Sequence, residues 1–199
     1  MSTDTNYITL AQVKRYLPIE DAEDDDVLTM VLAGACRRID SYCDSRFYTT
    51  SSDETRYETA LDSMILIPGL PIASLTSVAI DDGNRTYATA LAAANYELYP
   101  WQIATGEAYT QIRITPTGVY TFPGGDRMVK IVGKFGYGSV PDAVKSAALI
   151  MVSRLWARRA APFGIAGATE IGQLMAIKPI DPDVQELLAP YRCMGIIAI

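Results

Sequence analysis

Histidine is absent from this 199-residue sequence. Its absence removes the commonest general base, the His-dependent catalytic triads and every His-ligated metal site. Cysteine is scarce, and Cys36, Cys43 and Cys193 form no C-x-x-C pair. Cys36 and Cys43 are seven apart, near one face of a helix but separated along its axis by about 10 Å, too far for a disulfide. They read as buried thiols, in keeping with assembly in a reducing compartment. Met1 to Asn6 are polar and lack both a basic segment and an apolar one, so no signal peptide is expected. No apolar run approaches the eighteen or so residues that a bilayer span needs, and no membrane contact is expected. Positive charge is also in short supply: 17 bases against 23 acids leave a formal net charge of −6. That balance disfavours a tight grip on a phosphate backbone, though it suits a surface past which DNA slides.

What is present is apolar substance. Hydrophobic residues make up 49% of the chain, enough for a sizeable core. The first third has helical spacing. Thr9 is a candidate N-cap for a segment carrying Leu10, Val13, Tyr16 and Leu17, which Pro18 stops. A second, longer helix starts in the acidic run Glu20 to Asp26, where carboxylates favour the positive end of the helix dipole. Val27, Leu28, Val31, Leu32, Ala35, Ile39 and Tyr42 give it a broad apolar face.

From about Phe47 the segments shorten and become rich in β-branched and aromatic residues. Tyr57 to Thr59, Met64 to Ile67, Ser74 to Ile80, Tyr96 to Tyr99, Gln111 to Thr115 and Met128 to Phe135 read as strands. Asp82-Gly83 signals a hairpin and Pro123 to Asp126 another turn; Ala88 to Ala94 fits either a short helix or a loop. The helical period returns at Pro141, with Val144, Ala147, Ala148, Met151, Leu155 and Trp156 as its stripe. Residues 162–178 are rich in Gly, Ala and Ile without a clear period, a long loop or arm. Pro182 then opens a last short helix with Val184, Leu187 and Leu188.

These patterns predict an α+β fold: a helical bundle domain with an inserted small antiparallel β-sheet or sandwich. Residues 1–46 form the first part of the helical domain, 47–139 the β-rich insertion, and 140–199 the second helical part, with the loop 162–178 and a C-terminal arm 193–199.

Few residues carry chemistry of their own. The run Glu20 to Asp26 lacks the alternating ligands, central Gly and closing Glu of a calcium loop, so it reads as a solvated helix start or an electronegative rim, with Glu23, Asp24, Asp25 and Asp26 as the candidate acids. Gly133 to Gly138 lacks the G-K-[ST] of a phosphate loop; Lys134 falls inside a strand, and the glycines serve to turn the chain. No G-x-S-x-G elbow occurs, and nothing singles out a pair of carboxylates. No catalytic residue, cofactor or metal site is expected. Arg154, Arg158 and Arg159 lie along one helix edge, and ion pairs within the subunit or across an interface suit them better than a nucleic-acid patch. The stretch Ile196-Ile197-Ala198-Ile199 is apolar and needs cover, either in its own subunit or as an arm on a neighbour.

Taken in order, four stretches carry a family likeness. They are Ile8 to Lys14 followed by the acidic entry and the helix ending Ile39 to Cys43; Leu66 to Ile72 running into Ser77-Val78, with Tyr96 to Leu98 later; Gly136 to Ala147, then Arg158-Arg159; and Leu187 to Arg192. No one of them is specific, but as an ordered set the chain resembles the head–tail connector (adaptor) family of tailed bacteriophages, in its long form with a β insertion. The resemblance implies a structural virion protein: a homo-oligomeric ring, commonly of twelve subunits, assembled in the host cytoplasm and lodged in the virion neck. Its partners would be the portal protein above and a tail or stopper protein below, with genomic DNA in transient, non-specific contact through the centre. On that reading Phe163, Ile165, Ile171, Leu174, Met175 and Ile177 of the loop, with Met194, Ile196, Ile197 and Ile199 of the arm, are candidate contacts with the portal or neighbouring subunits. The acids would line the lumen or rim. The rival readings are another neck or tail-completion protein and a carboxylate-dependent hydrolase. Elemental analysis of the purified protein should find no stoichiometric divalent metal, and a broad hydrolase screen no turnover; a bound metal, or turnover lost with one carboxylate, would favour the hydrolase.

Overall fold

The structure, a computed structural model, describes residues 5–104, 107–116, 119–159 and 180–192. It is α+β, and the described residues divide into a β-rich unit, within 45–141, and a helical unit, 5–44 with 142–159 and 180–192.

In the helical unit, α1 (Leu10–Tyr16) begins at Thr9 with a capping box. The Thr9 hydroxyl accepts from the Gln12 N–H at 3.2 Å and the Gln12 side-chain oxygen accepts from the Thr9 N–H at 2.8 Å, satisfying two donors that the helix start would otherwise orphan. The second helix, α2 (Asp25–Cys43), buries Leu28, Leu32, Ala35, Cys36, Ile39 and Cys43, a stripe at steps of three and four. Its buried face is narrower than the sequence pattern suggests, since Val27 is 46% exposed, and on α1 Tyr16 is likewise 51% exposed. Against α2 pack α1 and α3 (Asp142–Arg158), and α4 (Pro182–Leu188) packs on α3. Helix α3 contributes Val144, Ala147, Ala148, Met151 and Val152 to the core, while Leu155 and Trp156 are half-buried. Lys145 hydrogen-bonds the exposed Asp142 carboxylate at 2.8 Å and holds its pKa below the ordinary value, which favours the anion at the positive end of α3. Pro182 sits in the first turn of α4, capped by Asp181.

The β-rich unit holds two antiparallel sheets. The strands are β1 (Glu54–Glu58), β2 (Ile65–Leu66), β3 (Ile72–Ile80), β4 (Thr89–Leu91), β5 (Tyr96–Tyr99), β6 (Gln111–Ile114) and β7 (Val129–Phe135). They order as β1-β7-β3-β4 and β2-β6-β5. The segment Ala88 to Ala94 thus becomes strand β4 and the start of a 3-10 turn at Ala93–Asn95. Strand β1 begins three residues before its sequence signal, at Glu54. One apolar cluster draws on both sheets, with Leu66, Ile112 and Ile114 from the smaller and Ile72, Val78, Leu91, Val129, Ile131 and Phe135 from the larger, closed by Phe122 from a loop. Mutual hydrogen bonds between Ile72 and Tyr109, at 2.7 and 2.8 Å, stitch the sheets together.

Two glycines set the local geometry. At Gly133, in the middle of β7, β3 passes between two register shifts, and a Cβ would collide with the backbone of Ser74 and Leu75. At Gly136 the chain adopts φ +107 as it leaves β7, its N–H bonds the Pro71 carbonyl at 2.7 Å, and a Cβ would strike the Tyr48 carbonyl. Gly34, by contrast, sits on α2 with open space around it. Gly133→Ala should therefore cost about 1–3 kcal/mol through overpacking, lowering the urea midpoint. Gly34→Ala should raise it by about 0.5–1 kcal/mol through reduced chain entropy. Equal effects of the two would contradict this packing.

Candidate interaction surfaces

The residues singled out in the sequence fall into three groups. Phe163, Ile165, Ile171, Leu174, Met175, Ile177, Met194, Ile196, Ile197 and Ile199 lie outside the described residues. The arginines and the acids are placed, and several of them meet. Arg154 of α3 pairs with Asp181, the cap of α4, and Arg159, just past α3, pairs with Asp24 at 2.7 Å while its guanidinium lies 3.8 Å from the Trp156 ring centre. Asp25 is taken by Lys14 of α1 at 2.7 Å. Two of the four candidate acids therefore hold helices of their own subunit together, and Glu23 and Asp26 are the ones left exposed.

Arg158 has a different setting. With Arg38, Arg154, Met151, Leu155, Ile180 and Asp181 it lines a shallow groove in the helical unit. Among the described residues no group of three or more Cys, Asp or Glu is placed to hold a metal ion. No described helix is long and apolar enough to cross a membrane.

The β-rich unit carries a surface that sequence reasoning missed. Beyond β5, Trp101 stands 71% exposed, and with Glu97, Leu98 and Tyr109 it lines an open groove. Next to it the Arg113 guanidinium stacks 3.9 Å from the centre of the Tyr99 ring and is held there by the Gln111 side-chain oxygen at 2.7 and 2.9 Å. Tyr96 turns partly inward, and burial raises its phenol pKa above the usual value. On α2, Met30 is 75% exposed. The only sequence signal for the β5 surface was an aromatic residue directly after a strand-ending proline, which says nothing of exposure.

The chain belongs to the head completion protein family, whose model matches residues 6–194. No curated protein matches it. Among solved structures it is similar to a chain in the neck of an empty gene transfer agent particle, computed with C6 symmetry, at 17% identity and a TM-score of 0.60. It is similar also to a chain in the virion of the native particle, at 18% and 0.61, and to one in the native neck computed with C12 symmetry, at 18% and 0.59. Each likeness covers 100% of this chain and 96% of the other, and at such identities it establishes the shared fold.

The Arg159–Asp24 pair is about half exposed on both sides. A double-mutant cycle with Arg159→Ala and Asp24→Asn should give a coupling below about 1 kcal/mol in thermal unfolding. A larger coupling would mean that this pair, rather than apolar packing, fixes α3 against the start of α2.

Proposed function

We propose that the chain is a structural subunit of a phage neck, an adaptor that docks beneath the portal as a ring, links capsid to tail and lets DNA pass through its centre. It acts by binding, and its working contacts are with copies of itself, with the portal and with a tail or stopper protein. The observation that carries this reading is family membership across residues 6–194, with full-length likeness to chains from particle necks in support. The symmetries named for those necks fit a ring of copies, and twelve is the subunit number we favour.

The chemistry of the chain is in keeping with such a role. A subunit of net charge −6, repeated around a ring, presents a wall with weak affinity for phosphates, and Glu23 and Asp26 are the candidate acids still outward to supply it. The apolar residues Met194, Ile196, Ile197 and Ile199 supply contact with the portal or the next subunit. Deletion of residues 194–199 should reduce co-sedimentation with the portal while leaving the circular dichroism spectrum and melting transition unchanged. Undiminished co-sedimentation would contradict the portal contact and leave the next subunit as the partner, and docking onto isolated tail tubes instead of the portal would favour a tail-completion role.

A further inference from the structure

We infer that the outer edge of β5, with the groove beside Trp101, receives residues 194–199 of a second copy of the chain as an added strand. The inference rests on the proposed ring, which sets copies side by side, and it names the surface that the apolar stretch meets.

The edge is defined by the pairing of β5. In the order β2-β6-β5 the smaller sheet ends at β5. The Thr110 N–H bonds the Tyr99 carbonyl at 2.8 Å and the Thr115 N–H bonds that of Asn95 at 3.0 Å, so the Asn95 carbonyl and the backbone polar groups of Glu97 and Tyr99 face β6, while the Asn95 N–H is taken by the Ala92 carbonyl at 2.9 Å. By the alternation of an antiparallel ladder, the N–H and C=O groups of Tyr96 and Leu98 point the other way, where a further strand would pair. Beside this edge lies the groove of Glu97, Leu98, Trp101 and Tyr109, and Trp101 gives it a large apolar wall. Arg113 is spoken for by Tyr99 and Gln111, so its charge is fixed in place.

The occupant follows from the chemistry of the match. Residues 194–199 carry no charge, and three of the six are the β-branched Ile196, Ile197 and Ile199, which favour an extended chain. Extended, the six residues span roughly 20 Å, enough to run the length of four-residue β5 and past Trp101. Alternation puts Met194 and Ile196 on one side of such a strand and Ile197 and Ile199 on the other, so either register offers the groove a pair of apolar side chains. A second copy is the donor because a closed ring is built from unlike patches, each copy giving one and receiving the other.

Two measurements test this. In the first, full-length chain with benzoylphenylalanine in place of Trp101 is mixed with isotopically heavy wild-type chain, irradiated and mapped by mass spectrometry; the expected cross-link joins position 101 to residues 194–199 of the other copy. In the second, a soluble lysine-tagged peptide of residues 193–199 is titrated into chain lacking residues 194–199, and the tryptophan emission should shift to the blue. Followed by titration calorimetry, because the first variant removes the emitting side chain, Trp101→Ala and Leu98→Pro should each weaken that peptide by about tenfold or more, the second by removing an outward N–H while sparing the β6 ladder. Cross-links confined to one copy, cross-links to a portal or tail segment when those proteins are added, or peptide binding indifferent to both variants would overturn the inference. Rings that assemble with no such cross-link would sink this contact and leave the ring standing. Peptide capture at Trp101 by a chain that never forms rings would sink the ring and leave the strand site standing.

Discussion

The β-rich unit depends on one strand having to satisfy two neighbours and a core at the same time. Strand β7 is paired with β1 on one side and β3 on the other, and its inward residues Val129, Ile131 and Phe135 are fully buried. The alternation of buried and half-buried positions along β7 is complete, so a slip of one residue would turn the whole apolar set outward. Only glycine lets β3 approach at position 133, and only a left-handed residue lets the chain turn at Gly136 over the Tyr48 carbonyl. Immediately beyond, Tyr137 stacks on the fully buried Phe47 with ring centres 5.0 Å apart, tying the exit of the unit to its entrance. The two places where the chain passes between its units are therefore held together inside the β-rich unit itself.

The helical unit solves a different problem, that of four described helices with short apolar stripes. Helix α2 has the longest buried face, and charged groups around its start anchor its neighbours: Asp24 to Arg159, Asp25 to Lys14. Toward its other end Arg192 lies over the Tyr42 ring at 4.9 Å and Tyr7 donates its hydroxyl to Asp40. The ion pairs among these, at least partly exposed, add little stability each; their effect is to fix register among helices already joined by apolar contact. This internal use of charge bears on function, because the acidic run that looks in sequence like a uniform rim is reduced in the fold to a few outward carboxylates.

Much of the fold was legible because its signals are local. The Thr9 cap with Gln12 three residues on, the apolar steps of α2, the alternation along β7 and the turn at Gly136 each follow from residues close in sequence. The family likeness was legible as well, through the order of such punctuation along the chain and no single motif. What escaped was long-range. Nothing near Arg159 indicates a partner 135 residues away at Asp24, and nothing near Phe122 shows that a loop residue closes the core. The division into two sheets rests on pairings such as Ile72 with Tyr109, distant in sequence. The exposure of Trp101 and Met30 was equally hidden, since apolar character alone predicts burial and a binding surface breaks that rule.

The role proposed above asks for a subunit rigid enough to pass on a symmetric template that still presents apolar surface for others to cover. The densely paired β7, the pinned chain crossings and the open aromatic edge of β5 meet those two demands in different parts of the chain. The most direct test of the structural role is an electron cryo-microscopy reconstruction of intact particles, with the subunit located by the density of its described sheets and helices. A closed ring in the neck, between portal and tail, is the expected result. Finding the subunit in the capsid shell or along the tail tube, or finding complete particles without it, would contradict the role.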